Sequence, residues 1–108
     1  MSVQMLFGAM AVLLVLLLIV ETVVFWHTRN VFDEAAAEGA RVAAAFDGDC
    51  ADGIAAANAL VERSASGWSS QVQIGCTNGA TVRVTVKGRS AGLFGFRAQA
   101  IESAPKEG

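Results

Sequence analysis

The chain has 108 residues and a mass of 11.2 kDa, enough for one small domain and too few for two independent cores. With 54% hydrophobic and 17% charged residues and a mean hydropathy of +0.48, it is too apolar for an ordinary soluble domain or a disordered chain. A net charge of -2 leaves no basic stripe to drive binding to nucleic acid, which excludes that partner. The charges are also unevenly placed, because Glu21 is the only one in residues 1–28. That distribution reads as a membrane segment followed by a small polar domain, and it all but excludes a purely cytosolic enzyme.

From Met5 to Val20 the sequence is uncharged, and apolar character resumes at Val23, Val24, Phe25 and Trp26. As a helix rising about 1.5 Å per residue, Met5 to Trp26 covers ~33 Å, close to a hydrocarbon core of about 30 Å. One span therefore fits, with membrane lipid as its solvent. Trp26 and His27 are expected near the headgroups, with the Glu21 carboxylate extending toward the same interface. A cleaved secretory signal is disfavoured, since residues 1–20 contain no Lys or Arg and no A-x-A site follows. The positive-inside rule would place Arg29 in the cytoplasm, but Asp33 and Glu34 beside it make that signal feeble.

Residues 29–46 contain no proline and are rich in alanine, so the helix is expected to run on from the span without a break. Arg29/Asp33 and Glu38/Arg41 have the spacing of helical ion pairs. Small residues recur every four positions at Ala35, Gly39 and Ala43, and again at Ala36, Ala40 and Ala44. Such stripes let a second helix approach closely; it is either a partner in an oligomer or part of the chain's own domain. Asp47, Gly48, Asp49, Asp52 and Gly53 then form a turn, which lacks the ligand pattern of an EF-hand. Residues 53–63 return to helical spacing through Ile54, Ala57, Leu60 and Val61, with Asp52 as the expected N-cap.

After residues 64–70 the period falls to two. Val72, Ile74 and Cys76 alternate with polar positions and glycine, as do Val82, Val84 and Val86 with polar ones, which predicts two strands joined through Thr77-Asn78-Gly79. Gly88 to Gly95 reads as a loop, Phe96 to Ser103 as a third strand and residues 105–108 as a polar tail. The fold class is thus α+β: a long N-terminal helix, a short second helix and a small antiparallel sheet of about three strands whose Val face the helices cover. The division is 1–28 for the span, 29–104 for the head including the helix continuation, and 105–108 for the tail.

Cys50 and Cys76 are the only cysteines, in a head with few large apolar side chains. A bridge closing a loop of about 27 residues would contribute about 3.5 kcal/mol on the chain-entropy model, and it would persist only in an oxidising, extracytoplasmic compartment. The alternative is two unrelated buried thiols. A metal site is disfavoured because there is no CxxC and His27 belongs beside the membrane. A catalytic thiol is disfavoured because Asp49 and Asp52 flank Cys50, and negative charge raises a thiol pKa. The single histidine, with no recognisable nucleophile or paired-carboxylate motif, argues against an enzyme and implies no cofactor.

The run Ala35-Ala36-Ala37-Glu38-Gly39-Ala40-Arg41-Val42-Ala43-Ala44, in register with Glu21 and Arg29 behind a long apolar stretch, resembles the TadE-like family. These are minor pilin-like (pseudopilin) proteins of bacterial tight-adherence (Flp) pilus machinery. The resemblance covers roughly residues 3–46, and the cysteine-containing C-terminal region looks like the short actinobacterial form. It implies a protein held in the cytoplasmic membrane with its domain outside, acting as a pilus subunit or assembly factor alongside pilin or pseudopilin subunits and assembly proteins, as a homo- or hetero-oligomer. Family members ordinarily carry a basic leader ending in Gly and a Glu five residues into the mature chain. Here the sequence opens Met1-Ser2-Val3-Gln4, with Gln4 the nearest counterpart of that Glu, so the expectation is either a trimmed start or an unprocessed member. A reading from another class is a single-pass exported binding module that uses the strand face bearing Arg83, Lys87, Arg89 and Arg97.

Overall fold

The computed structural model describes residues 2–107. One helix, α1 (Val3–Ala44), forms the axis of the molecule, whose extents are 71 × 20 × 15 Å. It starts at Ser2, whose side chain accepts from the Met5 N–H at 3.2 Å, and contains no proline to interrupt it. The helix passes through residue 28 without a break and ends two residues before the expected Phe46.

Helix α2 (Cys50–Ala65) begins earlier than the periodicity of residues 53–63 indicates. Its N-cap is Asp49, whose carboxylate accepts from the Asp52 N–H at 2.9 Å. Asp52, expected as the cap, instead sits in the first turn, where its charge complements the helix dipole. Cys50 consequently opens α2 rather than lying in the connecting loop, and its disulfide to Cys76, with Cα atoms 5.7 Å apart, ties the start of α2 to the first strand.

Three antiparallel strands follow as a meander in the order β1-β2-β3: β1 (Ser69–Thr77), β2 (Thr81–Ser90) and β3 (Arg97–Pro105). The hairpin at Asn78-Gly79 is present, but neither residue adopts positive φ. The turn is therefore not the two-residue type that Asn-Gly favours; the last β1–β2 pair before it is Thr77 with Arg83. Gly88 and Ser90 belong to β2, which shortens the expected loop to residues 91–96. A bulge between Ser70 and Gln73 places Gln71 at φ 54°, an uncommon conformation for a residue with a side chain.

Val82, Val84 and Val86 are wholly buried on the central strand, against Phe32 of α1. Much of the remaining core is alanine, from Ala35 through Ala44 on α1 and from Ala57, Ala65, Ala98 and Ala100 elsewhere. Small side chains fill little volume, so the elements must come close together to reach native packing density. At the α1–α2 crossing a Cβ on Gly39 would lie 2.9 Å from the Gly53 carbonyl oxygen, and one on Gly53 would lie 2.6 Å from that of Gly39.

Of the residues read as a polar tail, Pro105, Lys106 and Glu107 are held in place, and Gly108 lies outside the described residues. Pro105 closes β3 opposite Thr81. The Lys106 ammonium donates to the carbonyls of Ala43, Ala45 and Gly48 at 2.9, 2.8 and 2.5 Å, placing a cation on the orphan acceptors at the end of α1.

Two outcomes follow for thermal unfolding in detergent micelles. Gly39→Ala and Gly53→Ala should each cost about 1–3 kcal/mol by overpacking, whereas Gly8→Ala, with open space around it, should not destabilise the chain. Replacing both cysteines by alanine should lower the midpoint markedly, consistent with about 3.5 kcal/mol from loop closure.

Candidate functional site

The lower part of α1 has no packing partner within the chain. From Val3 to Val20 its large apolar side chains are about half exposed or more, apart from the partly buried Leu17, and the helix is long and apolar enough to cross a membrane. Gln4 lies exposed in its first turn.

The head meets this helix at Glu21, lower than the division at residue 28 implies. Glu21 is 3% exposed, and its Oε1 accepts from the Leu93 N–H of the 91–96 loop. Its Oε2 is buried without a hydrogen-bond partner. Gly92 packs against this carboxylate so closely that a Cβ there would collide with it. One turn higher, Phe25 meets Phe96 edge-on at 6.2 Å between ring centroids. The carboxylate expected to reach the membrane interface is thus enclosed by the head. Sequence patterning gave no sign of this contact, because the partner is a backbone N–H 72 residues away.

The next turn faces α2. His27 Nε2 lies 3.1 Å from the Ser64 carbonyl oxygen, and its ring is 4.5 Å from that of Trp68. Thr28, wholly buried, donates to the Trp68 carbonyl at 2.8 Å. His27 is therefore a packing residue at the α1–α2 junction as well as a neighbour of exposed Trp26, and it points away from Glu21, as their spacing requires.

Among the described residues, Glu38 and Arg41 make the expected ion pair, with Arg41 Nη2 2.6 Å and Nε 3.1 Å from the carboxylate oxygens. The hydrogen bonds from Arg41 hold the Glu38 carboxyl below its ordinary range. The pair is exposed and contributes little to stability. Arg29 does not pair with Asp33. Asp33 instead faces Glu102 of β3, and the hydrogen bond between the two carboxyls, followed by their charge repulsion, raises the Glu102 pKa. Arg29 stands exposed beside Asn30, Asp33 and Gln99.

Both small-residue stripes are committed within the chain. Ala35, Ala36, Gly39, Ala40, Ala43 and Ala44 are all buried, where Gly39 meets Gly53, Ala57 and Val84. The close helix–helix approach they allow is made with α2 and the sheet of the same chain, so an oligomeric partner has no access to them. Cys50 and Cys76 are joined.

A continuous helix that is apolar and unpartnered below, and wrapped by a small disulfide-bridged α+β head above, defines the class: a head carried on a candidate membrane anchor. A model of the family described as TadE-like protein matches residues 1–41, so this part of the chain is similar to that family. The match takes in the apolar stretch, Glu21, Arg29 and Glu38-Gly39-Ala40-Arg41, and ends before α2 and the sheet. Searches of curated proteins and of solved structures found no match.

Two substitutions test the geometry. Because the Glu102 pKa is raised in the folded state, the favourable contribution is present at low pH and is lost as pH climbs from the ordinary value of 4.5 through the raised one. Glu102→Gln should therefore raise the unfolding midpoint at pH 7 and have a smaller effect at pH 4. Gly92→Val should free the 91–96 loop from α1, read as faster amide exchange at Leu93 with the β2–β3 pairing still protected.

Proposed function

We propose that this is a non-enzymatic, pilin-like membrane protein that serves in assembly, or as a minor subunit, of a tight-adherence pilus. In this reading residues 5–26 of α1 span the cytoplasmic membrane once, with the N-terminus inside and the head outside. The observation that carries it is the coincidence of the TadE-like match with the unpartnered apolar helix. The disulfide supports an extracytoplasmic head, because such a bridge persists in an oxidising compartment.

The burial of Ala35, Gly39 and Ala43 moves the expected assembly surface down α1. Pilin or pseudopilin subunits would pack against the exposed side chains between Leu6 and Val20, where a helix that is apolar all round can exchange lipid for another helix. The head would then cover the outside of the assembly. A second reading, a membrane-anchored binding module, is favoured by the cations on the outer sheet face. Lys87, Arg89 and Arg97 line one shallow concavity there with Gln71, Gln73 and Gln99, and Arg83 is not part of it.

A photo-crosslinking amino acid replacing Leu14 in cells that make the pilus should capture a pilin or an assembly component, whereas the same group replacing Ala80 at the distal hairpin should not. Products confined to lipid at Leu14, with protein captured only from the sheet face, would favour the binding module instead.

A further inference from the structure

Residues 91–96, Ala-Gly-Leu-Phe-Gly-Phe, form the connection between β2 and β3. Such connections are usually polar, yet Leu93, Phe94 and Phe96 are 75, 51 and 48% exposed and the loop carries no charge. Its position along α1 is fixed from two sides, by the Glu21 carboxylate on the Leu93 N–H and by Phe96 against Phe25. Glu21 lies five residues before Trp26, about 7.5 Å down the helix. The loop therefore hangs at the level where the apolar stretch of α1 ends, beside the exposed Ile19, Val20 and Val23.

Three of the six backbone N–H groups of the loop are taken up within the chain. Leu93 N–H is taken by Glu21, Ala91 N–H by the Trp68 carbonyl at 2.8 Å and Gly95 N–H by the Gly92 carbonyl at 3.2 Å. Near lipid, internal partners of this kind replace those that water would otherwise supply. Above the loop the sheet is basic: Lys87, Arg89 and Arg97 project from its outer face, and residues 81–101 contain no Asp or Glu. Arg89 and Arg97 stand directly opposite each other across β2 and β3, an arrangement that is unfavourable without a neighbouring anion. Arg89 also donates to the Gly95 carbonyl at 3.2 Å, which couples this collar to the loop.

We propose that the 91–96 loop is a second membrane contact, in which Leu93 and Phe94 enter the outer leaflet of an anionic bilayer while Lys87, Arg89 and Arg97 engage lipid phosphates. The inference rests on the reading of α1 as a membrane span. The loop extends the lipid-facing surface of that helix, and the cationic collar matches anionic headgroups. The head is thereby held against the membrane at two points, with the Glu21 carboxylate as the peg between them.

The test uses the full chain, disulfide intact, reconstituted in phosphatidylcholine/phosphatidylglycerol vesicles, with a nitroxide on a cysteine replacing Val12, Leu93 or Ala80 in separate samples. Collision rates with oxygen and with a neutral nickel chelate report depth. Labels at Val12 and Leu93 are expected to favour oxygen, and the label at Ala80 to favour nickel. The Leu93 label should move toward water in the Lys87→Gln/Arg89→Gln/Arg97→Gln chain and in vesicles lacking phosphatidylglycerol. Nickel preference at Leu93 with oxygen preference at Val12 would overturn the loop contact and leave the span intact; nickel preference at both would overturn the span as well. Shielding at Leu93 accompanied by spin–spin broadening that vanishes on dilution in lipid would assign the loop to a second copy and overturn the proposal. Equal depth at Leu93 with and without the three cations would overturn the role given to the phosphates.

Discussion

One helix serves two surroundings, and the rest of the structure depends on its continuity. Below Glu21, α1 presents apolar side chains in every direction; above Thr28, it turns a strip of alanine and glycine toward α2 and the sheet. No hinge residue separates the two regimes, since neither a proline nor a change of helix type interrupts residues 3–44. Between Glu21 and Thr28 successive turns bind different parts of the head: Glu21 holds the 91–96 loop, while His27 and Thr28 hold the end of α2 and Trp68. The orientation of the head is thus set by the helix that carries it.

The core explains why the bridge and the capping contacts matter in so small a head. Phe32 and the three valines of β2 are its large, fully buried apolar side chains, and the alanine-lined remainder contributes less burial per residue. Closely approaching helices, the Cys50–Cys76 bridge and Lys106 on the end of α1 compensate for that lack of volume. Each of these joins segments distant in sequence, so they also close the head against the far end of α1.

The parts of the fold governed by periodicity were legible in the sequence. Uninterrupted apolar and alanine-rich residues marked α1, and alternating valines marked β2 with the correct buried face, because these patterns follow from 3.6- and 2-residue repeats. Local competition between similar residues was less legible: Asp49 and Asp52 are both good caps, and only the structure selects Asp49. Contacts across long separations left no pattern at all. Nothing in Glu21, Leu93 or Lys106 announces a carboxylate on a loop amide or an ammonium on three carbonyls. The small-residue stripes were visible, but their spacing describes any close helix contact equally well, within a chain or between chains.

The central claim is that anchor and head share one rigid helix, and it is tested most directly by a distance. Spin labels at Val12 in the apolar stretch and at exposed Ala37 on the head side of α1 are separated by 25 residues, about 38 Å along a continuous helix. Double electron–electron resonance on the full chain in vesicles should give a single narrow distribution near that separation. A broad distribution, or one centred well short of it, would mean that α1 bends or unwinds between the membrane and the head, and would contradict the account.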